Sequence, residues 1–240
     1  MATPWQRPKI LAFDIFGTVV DWHGSVVREV EALGLLDGPG CALTPADFAR
    51  AWRAGYRPAM ARVMSGELGW TRIDDLHRMI LDELLDQYHL ALDEPGRRQL
   101  NLAWHRLAPW PDSVEGLTRL KQRYVICTLS NGNLGLLADM AKLGGLPWDL
   151  ILSAEVFRAY KPHPDTYLGV AEVFEVDPSE VMLVAAHQDD LDAARGCGLK
   201  TAYIERPHEF GADAPKPVEG SSANDLHASS LTDLARALQC

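Results

Sequence analysis

Ile10-Leu11-Ala12-Phe13-Asp14-Ile15-Phe16-Gly17-Thr18 joins a short, wholly apolar run to a carboxylate and a glycine turn. A run of this kind reads as a buried strand, and Asp14 then falls at its carboxyl end, where open α/β sheets place their ligand sites. Asp14 is a candidate nucleophile. Gly17 permits a tight turn whose backbone N–H groups can face an anion, and the Thr18 hydroxyl can orient the Asp14 carboxylate. An Asp that only ends a strand and caps the next turn is the alternative reading of the same residues.

The next comparable strand is Val125-Ile126-Cys127-Thr128-Leu129, and everything between reads as helical. Thr44-Pro45 supplies an N-cap and a first-turn proline for a helix over 46–64. Leu76, Ile80, Leu84 and Leu85 recur at helical spacing, followed more loosely by Leu100, Leu102, Trp104 and Leu107. Gly38-Pro39-Gly40, the segment from Gly66 to Gly69 and Glu94-Pro95-Gly96 punctuate these stretches. Residues 21–110 therefore read as an all-helical insert.

Beyond Pro111, helices at 112–121, 134–143, 164–174 and 189–197 alternate with strands at 124–129, 150–152, 181–184 and 201–204. Such alternation predicts a parallel sheet with helices on both faces. Residues 211–222 read as a surface loop before a last helix over 231–238. In a parallel sheet every strand points its carboxyl end at one crevice, so Asp14, Ser130-Asn131-Gly132, Lys161, His187 and Asp190 become neighbours. Several of these have a plainer reading. Ser130 and Asn131 suit helix caps, Lys161 a solvated surface, and His187 a core or helix-capping role, neutral at pH 7 at a helix N-terminus.

The 240 residues carry a 47% hydrophobic fraction and a formal net charge of −10, which argue for a soluble globular chain and against a general nucleic-acid surface. Cys41, Cys127, Cys197 and Cys240 lack paired spacing, so buried thiols are expected, not a zinc site or disulfides. The segment from Met1 to Pro8 lacks a signal-peptide core, and no apolar run is long enough for a membrane span, so a cytoplasmic protein is expected.

The motif Asp14-Ile15-Phe16-Gly17-Thr18, with the later strand-end residues, resembles the haloacid dehalogenase superfamily over nearly the whole chain. Superfamily phosphatases place a second Asp where Phe16 stands, to protonate the leaving alcohol; the dehalogenase branch has an aromatic residue there, and a departing halide needs no proton. Magnesium-dependent relatives carry a metal-binding Asp at the position of Ala186. Its loss argues against a divalent cation, which prefers carboxylate oxygen. Many members have Ser and Asn where this chain has Ala185 and His187.

The resemblance implies a Rossmann-like core from residues 1–20 and 111–240, a helical cap over 21–110, and metal-free, cofactor-free chemistry of the (S)-2-haloacid dehalogenase type. Asp14 would displace halide from carbon, leaving an ester on its own carboxylate. Arg53, in Ala51-Trp52-Arg53, and Asn131 would cradle the halide; a solvated helix-face charge is the alternative for Arg53. Ser130 and the N–H groups of Ile15 and Phe16 would bind the substrate carboxylate. Lys161, Thr18 and Tyr167 would hold charge and geometry, while Asp190 and His187 activate or orient water. Trp22, Trp52, Tyr56, Trp70 and Trp110 either line an apolar pocket or form core. The expected partners are a small halogenated carboxylic acid, water and a second copy of the chain. A phosphatase, a hydrolase opening a strained ring such as azetidine-2-carboxylate, and a noncatalytic binding member are the competing readings.

Overall fold

The computed structural model describes residues 6–38 and 43–240; Cys41, Pro39, Gly40 and the first five residues lie outside that description. Strand β1 (Ile10–Phe13) leads through the Asp14 turn to a two-residue strand β2 (Val20–Asp21). Helices α1 (Trp22–Ala32), α2 (Pro45–Ala54), α3 (Tyr56–Met64), α4 (Ile73–Gln87) and α5 (Glu94–Asn101) follow, then a 3-10 turn over Leu102–His105. The chain returns through β3 (Ala108–Pro109), which pairs antiparallel with β2, so both connections to the helical segment form one two-stranded ribbon. The alternating part comprises α6 (Ser113–Lys121), β4 (Val125–Thr128), α7 (Leu134–Gly144), α8 (Ala154–Phe157), α9 (Pro164–Val173), β5 (Val181–Ala185), α10 (Gln188–Gly196), β6 (Lys200–Ile204), β7 (Leu226–Ala228) and α11 (Leu231–Ala237).

The main sheet is parallel, in the order β4-β1-β5-β6-β7, with β1 between β4 and β5. Its two-residue period divides the core. Leu11 and Phe13 join one apolar cluster with Leu117 and Leu120 of α6 and Leu231 and Leu234 of α11. Ile10 and Ala12 join the other with Tyr167 and Val170 of α9 and Leu191 and Ala194 of α10. Helices thus cover both faces, as buried parallel strands require.

Three sequence expectations are corrected. The helix read over 46–64 breaks at Gly55 into α2 and α3, because Pro58 has no N–H to donate to the carbonyl of residue 54. Residues 150–152 form no strand: Leu150 and Ser153 make isolated bridges to Cys127 and Ser130, and the Thr128 hydroxyl accepts the N–H of Leu152 (3.0 Å) and donates to its carbonyl (2.6 Å). The short edge strand β7 lies between the loop expected over 211–222 and the last helix, where the sequence suggested no element. Of the cysteines described, Cys127 is buried, whereas Cys197 and Cys240 are partly exposed. Among the described residues, no helix is long and apolar enough to cross a membrane.

Candidate active site

Asp14 leaves β1 with its N–H still donating to the carbonyl of Val184 (3.0 Å), so the neighbouring strand fixes its backbone. Its buried carboxylate meets three side chains. The Thr18 hydroxyl donates to Oδ2 (2.7 Å) while accepting the N–H of Ala186 (2.9 Å), which locks the threonine rotor between the ends of β1 and β5. Lys161 Nζ lies 2.9 Å from Oδ1, and His187 Nδ1 lies 3.1 Å from Oδ2. Burial opposes ionisation, but Lys161 and His187 outweigh it and hold the carboxyl far below the usual range.

Lys161 also pairs with Asp190 Oδ2, and the Tyr167 hydroxyl donates to Asp190 Oδ1 (2.6 Å). Burial works against the ammonium, and Asp14 and Asp190 overcome it, raising Lys161 above its ordinary range. Burial pushes Asp190 up, with Lys161 opposing. It also raises the Tyr167 hydroxyl, helped by the adjoining Asp190 carboxylate, so the phenol stays protonated. Lys161 sits in a turn, and its bond to Pro162 is cis.

The Asn131 side-chain carbonyl accepts the N–H of Lys161 (2.8 Å), and Ser130 Oγ accepts the N–H of Gly132 (3.1 Å). Neither caps α7, whose N-cap is Asn133. The backbone N–H groups of Ile15 and Phe16 find no protein acceptor among the described residues. They remain available to an anion.

Arg53, near the end of α2, points into an aromatic box rather than into solvent. Its guanidinium carbon stands 4.0 Å from the ring centre of Tyr56, 5.7 Å from that of Trp22 and 5.9 Å from that of Phe16. Among the described residues its buried Nη1 has no hydrogen-bond partner. His77 of α4, buried and stacked on Trp104 at 4.1 Å, closes the box; both its ring nitrogens and the Trp104 indole N–H also lack partners. Burial and then Arg53 bring His77 down to about 3, leaving it neutral. Of the other aromatics, Trp52 packs on Trp104 and His77, whereas Trp70 stacks on Tyr160 and Trp110 donates to the carbonyl of Gly17 (3.0 Å).

His187 departs from expectation. Its N-terminal place on α10 argued for a neutral ring, yet burial, which lowers its pKa, is outweighed by Glu209 and Asp14, and the ring is raised to about 9. Sequence reasoning missed Glu209, whose Oε1 lies 2.9 Å from His187 Nε2. It stands five residues beyond β6, and the rule applied to every earlier strand end would have flagged the charged run Glu205-Arg206-Pro207-His208-Glu209. His77 and Trp104 gave no such signal, since helical periodicity assigns both to core.

The donor set does not fit a magnesium ion. Phe16 and Ala186 supply no oxygen side chain, and the Lys161 ammonium occupies the space between Asp14 and Asp190. No group of three or more His, Cys, Asp or Glu side chains among the described residues could hold a metal.

A solved L-2-haloacid dehalogenase superposes with a TM-score of 0.91 at 44% identity, over 98% of this chain and 99% of that one. A defluorinating L-2-haloacid dehalogenase matches at 0.91 and 42%, over 97% and 96%. The L-2-haloacid dehalogenase of Xanthobacter autotrophicus, solved with chloropropionic acid covalently bound, matches at 0.78 and 25%, over 97% and 98%. The family model described as haloacid dehalogenase-like hydrolase matches residues 8–198, and the chain belongs to that family.

Proposed function

We propose that this hydrolase converts small 2-haloalkanoic acids to 2-hydroxy acids through an ester on Asp14. The observation that carries the reading is the pairing of an ionised, buried Asp14 with the unpartnered Arg53 nitrogen in a box walled by Phe16. A guanidinium in a dry aromatic site stabilises a departing halide far more than water-exposed charge would, and Phe16 offers no proton to an alkoxide. The covalent chloropropionate adduct of the Xanthobacter autotrophicus relative supports the same first step.

In this reading residues 21–110 are a cap domain that brings Arg53 over a core formed by 1–20 and 111–240. The substrate carboxylate binds Ser130 and the free N–H groups of Ile15 and Phe16. Lys161 lets two anions approach, since its charge faces Asp14 and the incoming acid together. Asp14 attacks the carbon from the side opposite the halogen, and halide leaves toward Arg53 and the Asn131 amide. Water then attacks the ester carbonyl and breaks the acyl bond, with Asp190 and His187 beside the reacting carboxyl. Only the first step inverts the carbon, so an S acid gives an R hydroxy acid.

Chloride release from each enantiomer of 2-chloropropionate in EDTA, beside phosphate-ester hydrolysis with added Mg²⁺, tests the assignment. Release from the S form alone is expected. Mg²⁺-dependent phosphate release with no chloride would overturn it. Asp14→Asn should abolish chloride release while leaving the circular dichroism spectrum intact. The protein is further read as a cytoplasmic homodimer, on the strength of its family; light scattering on the purified chain decides the oligomeric state.

A further inference from the structure

Glu209 is fully buried, and the mechanism above gives it no task. Its Oε1 accepts the indole N–H of Trp22 (3.2 Å) and lies 2.9 Å from His187 Nε2, while Lys216 Nζ binds its Oε2. Lys216 is anchored in turn on the carbonyl of Ala186 (3.0 Å). Burying a carboxylate is costly unless it is paired, and these contacts give it an ion pair as well as a neutral donor. Burial would raise its pKa, but His187 and Lys216 outweigh it and bring it to about 2. The imidazole thus bridges an ionised Glu209 and the ionised nucleophile.

Asp190 is bonded at both oxygens, to the Lys161 ammonium and to the Tyr167 hydroxyl. His187 loses its anionic partner at Nδ1 once Asp14 is alkylated. Resting on the haloacid reading, we propose that Glu209 is a positioning residue that holds His187 as a base for hydrolysis of the Asp14 ester.

The charge logic follows from the neighbours. In the free enzyme two anions face the ring, Asp14 and Glu209; Lys216 stands behind Glu209, and Lys161 and Asp190 lie beyond Asp14. The ring is then an imidazolium. Esterification removes the charge of Asp14, so one of the two anions holding that proton disappears. The proton leaves through a hollow of about 280 Å³ bordered by Ala186, His187, Phe210 and Lys216. Glu209 accepts the remaining Nε2–H, which fixes the tautomer and turns the Nδ1 lone pair toward the ester.

The second step then balances. Nδ1 takes one proton from water as its oxygen bonds to the ester carbonyl carbon, giving a tetrahedral oxyanion and an imidazolium. Collapse breaks the bond between that carbon and the alkoxy oxygen, and the leaving alkoxide takes the proton from Nδ1. The acid form of Asp14 so produced returns its proton to His187, restoring carboxylate and imidazolium. The net products are hydroxy acid, halide and one proton.

Rapid-mix turnover of S-2-chloropropionate by Glu209→Gln and His187→Asn separates the steps. Both variants should release about one chloride per active site at nearly the normal rate and then turn over roughly 10²-fold more slowly. The peptide bearing Asp14 should carry the propionate adduct by mass spectrometry. In Glu209→Gln the acid limb of the kcat profile should also move to lower pH, since removing an anion makes the imidazolium a stronger acid. A normal steady-state rate and unchanged profile would overturn the proposal, as would loss of the chloride burst itself. Silence of the unmodified enzyme on both enantiomers would instead overturn the haloacid reading, and this inference with it.

Discussion

Arg53 places a guanidinium nitrogen, with no hydrogen-bond partner among the described residues, between the rings of Phe16, Trp22 and Tyr56, an arrangement that costs folding free energy. Methionine fills a similar volume with no charge to desolvate. Arg53→Met should therefore hold or raise the melting temperature while lowering halide release by at least about 10²-fold, the scale for loss of one electrostatic stabiliser. A large drop in melting temperature with activity retained would make Arg53 structural. At this scale the sequence was most informative for Asp14, Thr18, Lys161 and Asp190, because a parallel sheet turns strand-end position into spatial proximity. It was least so for His187, whose charge depends on Glu209, a partner set five residues beyond the end of β6.

Two glycines show how an element can serve stability alone or stability and chemistry together. A Cβ on Gly116 in α6 would lie 2.6 Å from the backbone of Leu231 in α11, so these helices approach as closely as they do only because nothing projects there. Gly116→Ala should cost about 1–3 kcal/mol, read as a lower urea midpoint, with kcat per folded molecule unchanged. Gly17, in the turn after β1, has φ +84°, and its Cβ would meet Glu209 Oε1 at 2.3 Å. Gly17→Ala should therefore lower both the urea midpoint and kcat, because the strained turn holds Asp14 and the displaced carboxylate holds His187. Equal kcat in the two variants would show that Glu209 tolerates displacement. Element identities were legible wherever apolar periodicity was long, as in α4 and β5. They failed where one side chain decides the outcome, as Pro58 does between α2 and α3 and Thr128 does beside residues 150–152.

The whole molecule combines a net charge of −10 with histidines whose protons are shared across separate parts of the fold. His105, after α5, reaches Asp74 of α4 (3.1 Å) and Asp139 of α7 (2.7 Å), while Asn133 Nδ2 donates to Asp74 (2.8 Å). These bonds tie the helical segment to the sheet domain. Burial lowers the His105 pKa, but the two carboxylates outweigh it and the net shift is upward from 6.5. A group whose folded pKa is raised stabilises fully below its unfolded value, and that stability is lost as pH climbs through the folded one. His187 behaves likewise, between 6.5 and about 9. Glu209, lowered from 4.5 to about 2, has the opposite sign: its contribution is present above 4.5 and lost as pH falls through the folded value. The urea midpoint should accordingly pass through a maximum near neutrality and decline on both sides. His105→Asn should remove only part of the alkaline decline, and His187→Asn a separate part, since the two rings share no partner and their effects should add. Hydrogen exchange distinguishes them. Raising the pH should open α4 amides, beyond the intrinsic acceleration, in the unmodified protein and in His187→Asn. If His105→Asn opens α4 on the same pH course, the bridge between α4 and α7 does not control how the two parts hold together.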